Sequence, residues 1–276
     1  MPLVPMASIL APARAGRRGV GAMNVIQLEL AEAIVAGAER AGRPVVLQIS
    51  ENTVAYHGSL APIAGACLAI ASASSAEVCV HLDHAMDVDL IESAVALGIG
   101  SVMYDGSALD YAANVTTTAS VAAFCHSRGV WVEAELGEVG GKDGVHAPGV
   151  RTKPSEASEY VAQTGVDALA VAVGSSHAMT TRDAVLDDEL IAELAAAVPV
   201  PLVLHGSSGV PDAGLVSAVA AGMTKINIAT HLNAALTAAV RTALADERLV
   251  DPRKYLGPGR DAVTAEVARL LTLLGG

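Results

Sequence analysis

Short β-branched or apolar runs recur along the whole chain, separated by Ala-rich stretches with helical periodicity, and no other feature limits the fold as tightly. The runs cover residues 20–24, 45–49, 78–82, 101–104, 130–136, 168–173, 202–205 and 225–228, and each is expected to be a strand. Between them lie helix-like segments such as LELAEAIVAGAERAG, which closes on Gly42, and DVDLIESAVALG, which opens on Asp87 and closes on Gly98. Strand and helix alternating eight times in 276 residues is the pattern of an α/β protein of the (β/α)8 TIM-barrel type. A doubly wound open sheet gives a similar string. The barrel is the expected fold, with residues 1–276 as its one domain.

The positions of the polar residues favour the barrel. Chemistry in such barrels sits at the C-terminal strand ends, so a polar residue closing an apolar run reads as functional. The first run ends in Asn24, and the second carries Gln48 and Ser50. The third ends in His81, Asp83 and His84, the fourth runs to Asp105, and the fifth holds Glu133 and Glu135. The sixth leads to Ser175, Ser176 and His177, the seventh ends in His205, and the eighth carries Asn227 and Thr230.

Composition excludes some partners. A formal charge of −12, with only 17 Lys and Arg dispersed along the chain, does not suit a nucleic-acid phosphate backbone. Mean hydropathy is +0.47, yet no unbroken apolar stretch reaches the roughly 18 residues of a membrane span. The opening MPLVPMASILAPARAGRRGVG lacks the order of a signal peptide. Cys67, Cys79 and Cys125 are odd in number and sit in apolar surroundings, as buried free thiols do in a reducing compartment. The expectation is a soluble, cytoplasmic protein with a small-molecule ligand, and no nucleic-acid or membrane partner.

His84, His177 and His205 stand at three strand ends, and three imidazoles with an open fourth position describe a catalytic zinc site. Asp83 beside them is either a ligand or, as preferred here, a proton shuttle for a substrate oxygen. Glu135 is an alternate metal ligand and Asp105 an acceptor behind a ligand imidazole, unless both are salt-bridge residues. His81 is placed beneath the site. His57, His126, His146 and His231 are left as surface or unassigned positions. The loop Gly206, Ser207, Ser208 and Gly209 can offer backbone amides to a phosphate where barrels of this type often bind one.

HLDHAMD, SVMYDGS, VEAELGEVGG, AVGSSH, LVLHGSSGVP and KINIAT, in this order, resemble the class II, metal-dependent fructose-bisphosphate and tagatose-bisphosphate aldolases, from GVGAMNV at residue 19 to about residue 256. The resemblance implies zinc held by His84, His177 and His205, with a monovalent cation or second divalent metal as a further ion. It implies Asp83 as the catalytic proton carrier. It implies that Gly206, Ser207, Ser208, Asn227, Ile228, Ala229 and Thr230 hold the phosphate and hydroxyls of a dihydroxyacetone phosphate moiety, with Asn24, Gln48, Ser50 and Ala178 lining the same pocket. A sugar-phosphate lyase of carbohydrate metabolism, working as a homodimer or homotetramer, is the implied protein.

This sequence departs from the family pattern in three places. Ala178 replaces the usual glycine and MTTRDAVLDD follows it, the 140–143 segment reads GGKD without the usual Glu, and 151–154 reads RTKP. Segment 137–154 is expected to be a mobile lid supplying the second acid, Asp143, with Glu138 as the alternative. Aldehyde specificity stays open, including a deoxysugar-acid phosphate. Three rival readings also stand: a Schiff-base aldolase using Lys225, a different metal-dependent barrel enzyme, and a non-catalytic sugar-phosphate-binding relative.

Overall fold

The computed structural model describes residues 2–136, 151–176, 179 and 181–276. The chain forms α1 (Met6–Ala15), β1 (Val20–Asn24), α2 (Leu28–Ala41), β2 (Val45–Ser50), α3 (Glu51–His57), α4 (Ala61–Ala73), β3 (Val78–Ala85), α5 (Val88–Ala96), β4 (Ser101–Tyr104) and α6 (Tyr111–His126). There follow β5 (Trp131–Glu135), α7 (Pro154–Thr164), β6 (Ala168–Ala170), α8 (Asp188–Ala197), β7 (Leu202–Leu204), a 3-10 turn at Ser207–Gly209, α9 (Asp212–Ala221), β8 (Met223–Ile228), α10 (Thr230–Ala243) and α11 (Pro252–Leu274). The strands close into a barrel in sequence order, β1 pairing with both β2 and β8, and every pair is parallel. The open-sheet alternative is excluded.

Local chemistry sets the helix ends. Gly42 caps α2 in the left-handed region at φ 60°, and Asp87 caps α5 by accepting the Asp89 N–H at 2.9 Å. The main core lies between strands and helices, where Leu47, Ile49, Leu82, Val102 and Val132 belong to one cluster with buried residues of α2, α4, α5, α6 and α11. The barrel interior is separate. Its lower end is apolar, with Met6, Ile9, Leu10 and Ala13 of α1 packed against Val20, Ala22, Val46 and Cys79. Helix α1 thus plugs the bottom, and polar side chains are confined to the layers above it.

Several strand ends differ from the sequence reading. The third strand continues to Ala85 instead of stopping at 82, whereas β6 ends at Ala170 and β7 at Leu204, short of the expected 173 and 205. The pairing of β3 with β4 shifts between Leu82 and Ala85, and His84 takes φ 49° there. All three cysteines are buried and free, and burial pushes Cys67 and Cys79 up to about 12 and Cys125 up to about 11. Among the described residues no single helix is long and apolar enough to cross a membrane.

Candidate active site

Successive residues of a strand face opposite ways, so Asp83 and His84 could not both reach the barrel mouth from a regular strand. The register shift in β3 and the left-handed backbone of His84 remove that obstacle, as bulges beside active sites commonly do. A non-glycine residue held there costs on the order of 1–3 kcal/mol, which the surrounding contacts must offset. One contact is explicit: His84 Nδ1 lies 2.8 Å from Asp105 Oδ2. Asp105 Oδ1 is itself fixed by the Ser107 N–H at 3.2 Å and Oγ–H at 2.6 Å.

Candidate ligand atoms of Asp83, His84 and His205 lie within 4.8 Å of one another, and so do those of His84, Asp105 and Glu135. His177, Ala178, Asp143 and Glu138 lie outside the described residues, as do His146 and most of the expected lid.

Asp83 is almost fully buried and ends a polar relay. Gln48 Nε2 donates to Asn24 Oδ1 at 3.2 Å, and Asn24 Nδ2 donates to Asp83 Oδ2 at 2.9 Å. The pairing of Asn24 with Gln48 in β1–β2 and of Ser50 with Asp83 in β2–β3 brings these side chains together. Asp83 Oδ1 is buried with no hydrogen-bond partner among the described residues. Burial pushes the Asp83 carboxyl up, but His84 and then Lys225 outweigh it and hold it below its ordinary value. Ser50 has a second task, since its Oγ accepts the Thr53 N–H at 3.2 Å and caps α3.

His205 is fully buried between two carboxylates, Nδ1 at 3.0 Å from Glu135 Oε2 and Nε2 at 3.2 Å from Glu133 Oε1. Burial opposes a charged imidazole, but the hydrogen bonds to Glu133 and Glu135 prevail and raise it to about 9. Both glutamates are held below the ordinary range, Glu133 chiefly because Lys225 overcomes its burial and Glu135 because of His205. Asp83, Asp105, Glu133 and Glu135 are thus gathered around His84, His205 and Lys225. Buried carboxylates gathered around two imidazoles, with a carboxylate behind each ring, fit a divalent cation.

Lys225 is fully buried with Nζ 2.7 Å from Glu133 Oε2 and 3.4 Å from His81 Nε2. An ion-paired ammonium is not the desolvated neutral amine that Schiff-base chemistry needs, so the geometry speaks against that rival. His81 lies beneath the site as expected; burial and then Lys225 push it down to about 3, so it is neutral. Because the lysine can only donate, His81 Nε2 accepts and Nδ1–H donates to Ser101 Oγ at 2.8 Å.

In the loop expected to hold a phosphate, Gly206 has φ 67°, and a Cβ there would lie 2.4 Å from the Ser176 carbonyl oxygen. Only glycine lets the loops after β6 and β7 approach so closely. The Ser207 hydroxyl donates to the Leu204 carbonyl at 3.0 Å, whereas Ser208 Oγ accepts the Ala229 and His231 N–H groups at 3.2 and 3.3 Å. Ser208 thereby joins the Gly206–Ser208 loop to the start of α10, whose first amides lie at the positive end of a helix dipole. Asn227 Oδ1 is buried with no partner among the described residues, and Ile228 is fully buried on β8.

Sequence reasoning gave Glu133 and Lys225 no joint role. Strand parity was the available signal, since Lys225 shares a face with Asn227, and Glu133 with Glu135. It also left out an ion-pair chain beside the start of α10: His231 to Glu266 at 2.6 Å, Glu266 to Arg269, Arg269 to Asp212, and Asp212 to Arg182 at 2.6 Å. His126 pairs with Asp167 ahead of β6, on the side away from the mouth, and His57 meets the Ile26 carbonyl just past the end of β1. A cleft lined by Ile9, Val20, Arg43 and Leu271 lies at the α1 end of the barrel, remote from this chemistry.

The sequence profile of the family described as "Fructose-bisphosphate aldolase class-II" matches residues 4–276. A fructose-bisphosphate aldolase of Geobacillus stearothermophilus is 39% identical over 272 residues, covering 97% of this chain and 95% of its own. The crystal structure of the YdjI aldolase from Escherichia coli K12 superposes with a TM-score of 0.87 at 30% identity, over 99% of this chain and 97% of that one. A structure titled as a putative fructose-1,6-bisphosphate aldolase from Coccidioides immitis also gives 0.87, at 27% identity, over 98% and 95%.

Proposed function

The chain belongs to the class-II fructose-bisphosphate aldolase family and is a lyase, and from that premise we propose that it reversibly cleaves fructose 1,6-bisphosphate to dihydroxyacetone phosphate and glyceraldehyde 3-phosphate, with zinc as its metal. The observation that carries this reading is the convergence of Asp83, His84 and His205 within 4.8 Å, with the carboxylates of Asp105 and Glu135 behind the imidazoles. His84 and His205 would hold the metal together with His177, with Glu135 as the alternate ligand. A divalent cation held there supplies a Lewis acid for the ketose carbonyl and hydroxyl oxygens, where negative charge grows as the C3–C4 bond breaks.

Asp83 takes the proton of the C4 hydroxyl in the cleavage direction and returns it in condensation. The Gln48–Asn24 relay holds Oδ2, so Oδ1 is the oxygen that meets the substrate. The aldehyde forms as the C3–C4 electron pair moves to the ketone half, and a second acid then protonates C3. Asp143 is assigned that step, with Glu138 as its alternative. The Gly206–Ser208 loop, Asn227 and the segment Ile228, Ala229 and Thr230 that leads from β8 into α10 hold the C1 phosphate and neighbouring hydroxyls. Residues 1–276 act as one barrel domain in the cytoplasm, as a homodimer or homotetramer. Exposed Tyr56 and Met86, on segments joined by the Met86 N–H to Glu51 bond, supply apolar surface for such an assembly.

The test is a panel of ketose phosphates given to the zinc-loaded protein, with the released aldehyde trapped and identified. Fructose 1,6-bisphosphate should give glyceraldehyde 3-phosphate with the highest kcat/KM. Faster turnover of tagatose 1,6-bisphosphate or of a deoxysugar-acid phosphate would reassign the substrate, and no cleavage of any of them would remove the activity.

A further inference from the structure

One buried ion pair is not used by the chemistry above. Lys225 of β8 and Glu133 of β5 are both closed to solvent, and their 2.7 Å contact spans the barrel interior. Desolvation makes such a pair costly, and well-packed apolar residues often replace one without loss of stability. What distinguishes this pair is where its second carboxylate oxygen goes. Glu133 Oε2 is taken by Lys225, and Oε1 lies 3.2 Å from His205 Nε2. Lys225 is braced in turn by His81 Nε2 at 3.4 Å, and His81 Nδ1 by Ser101 Oγ at 2.8 Å. A chain of contacts from β4 through β3, β8 and β5 therefore ends on one imidazole nitrogen.

We infer that Lys225 is a positioning residue of the metal centre: it holds Glu133 so that Oε1 accepts the Nε2–H of His205, which leaves Nδ1, 3.0 Å from the alternate ligand Glu135, as the nitrogen that faces the metal. The inference rests on the reading of His205 as a ligand. A carboxylate behind a ligand imidazole fixes its tautomer and ring orientation, and loss of such a partner typically costs about 10–100-fold in metal affinity. Asp105 stands in the same relation to His84, with Nδ1 as the engaged nitrogen. The two imidazoles, with ring centroids 4.6 Å apart, thus offer opposite nitrogens, Nε2 of His84 and Nδ1 of His205.

The test compares zinc affinity, by chelator competition, in Lys225→Met and in two double variants that leave no charge unpaired. Lys225→Met should weaken zinc binding about 10–100-fold. Lys225→Met/Glu133→Gln keeps an amide oxygen for His205 Nε2–H and should return to within about 3-fold of the parent, whereas Lys225→Met/Glu133→Leu should stay weak. In the parent with zinc bound, the imidazole nitrogen spectrum should show the His205 proton on Nε2. Equal, parent-like affinity in both double variants would make the pair merely structural, and a His205 proton on Nδ1 would overturn the geometry. His205→Asn separates the two levels: if zinc binding is unchanged in that variant, the ligand reading itself fails. Should Lys225→Met not melt cooperatively, the two double variants decide the matter.

Discussion

At the scale of single residues, Asp83 carries the greatest consequence for function. It adjoins His84, and a mover of protons has to be told apart from a ligand. Its Oδ2 is held by Asn24, while Oδ1 is buried without a partner among the described residues, an arrangement suited to receiving a substrate hydroxyl. Asp83→Ala should therefore lower turnover by about two to four orders of magnitude, the span usual for a positioned acid or base. Zinc content should stay near that of the parent, read by metal analysis of the purified variant; loss of zinc along with activity would make Asp83 a ligand. Its place at the end of an apolar run made this residue legible from sequence. It did not reveal how two consecutive side chains share one mouth, because a left-handed histidine in a shifted register has no signature in residue type. The Lys225–Glu133–His205 chain was hidden for another reason: it joins three strands across the barrel, and periodicity along one strand cannot report contacts across the interior.

At the scale of elements, the ends of α9, α10 and α11 are tied by Asp212, His231, Glu266 and Arg269, next to the segment expected to hold the phosphate. Asp212 is held below its usual 3.8 by Arg269 first, against some burial, with Arg182 adding to it. Glu266 is held below its usual 4.5 by Arg269 first, with burial opposing and His231 assisting. Carboxylates lowered in the folded state contribute stability that is fully present above their unfolded values and disappears as pH falls through the lowered ones. Arg269→Ala should then lower the melting temperature at pH 7 by about 2–3 °C, from roughly 1 kcal/mol for a partly exposed cluster. The gap between variant and parent should close as pH falls below the ordinary carboxylate range. A gap that is the same at pH 3 and pH 7 in thermal melts would mean that packing of the arginine stem, and not charge, is what the variant loses. None of this cluster was legible beforehand, since Asp212, Glu266 and Arg269 sit on surface helices where charged residues are ordinary. The strands and helices themselves were legible almost to the residue wherever β-branched runs met a capping Gly or Asp, as at Gly42 and Asp87. The strand ends slipped at β6, where the apolar run continues through Val173 after the strand has ended, and at β7, which stops one residue before His205.

At the scale of the whole molecule, the barrel divides its labour along its axis. Helix α1 closes an apolar lower end, charged residues that only one another can satisfy fill the middle, and the strand ends hold the residues assigned to chemistry. The central claim is that carbon–carbon cleavage depends on a cation in this upper layer and not on the buried lysine below it. Removing metal with a chelator and then titrating zinc back, with cleavage of fructose 1,6-bisphosphate followed throughout, tests that claim most directly. Activity should vanish on chelation and return in proportion to zinc up to one equivalent per chain, while borohydride added with substrate should leave it intact. Activity that survives chelation and is lost to borohydride through modification of Lys225 would contradict the account.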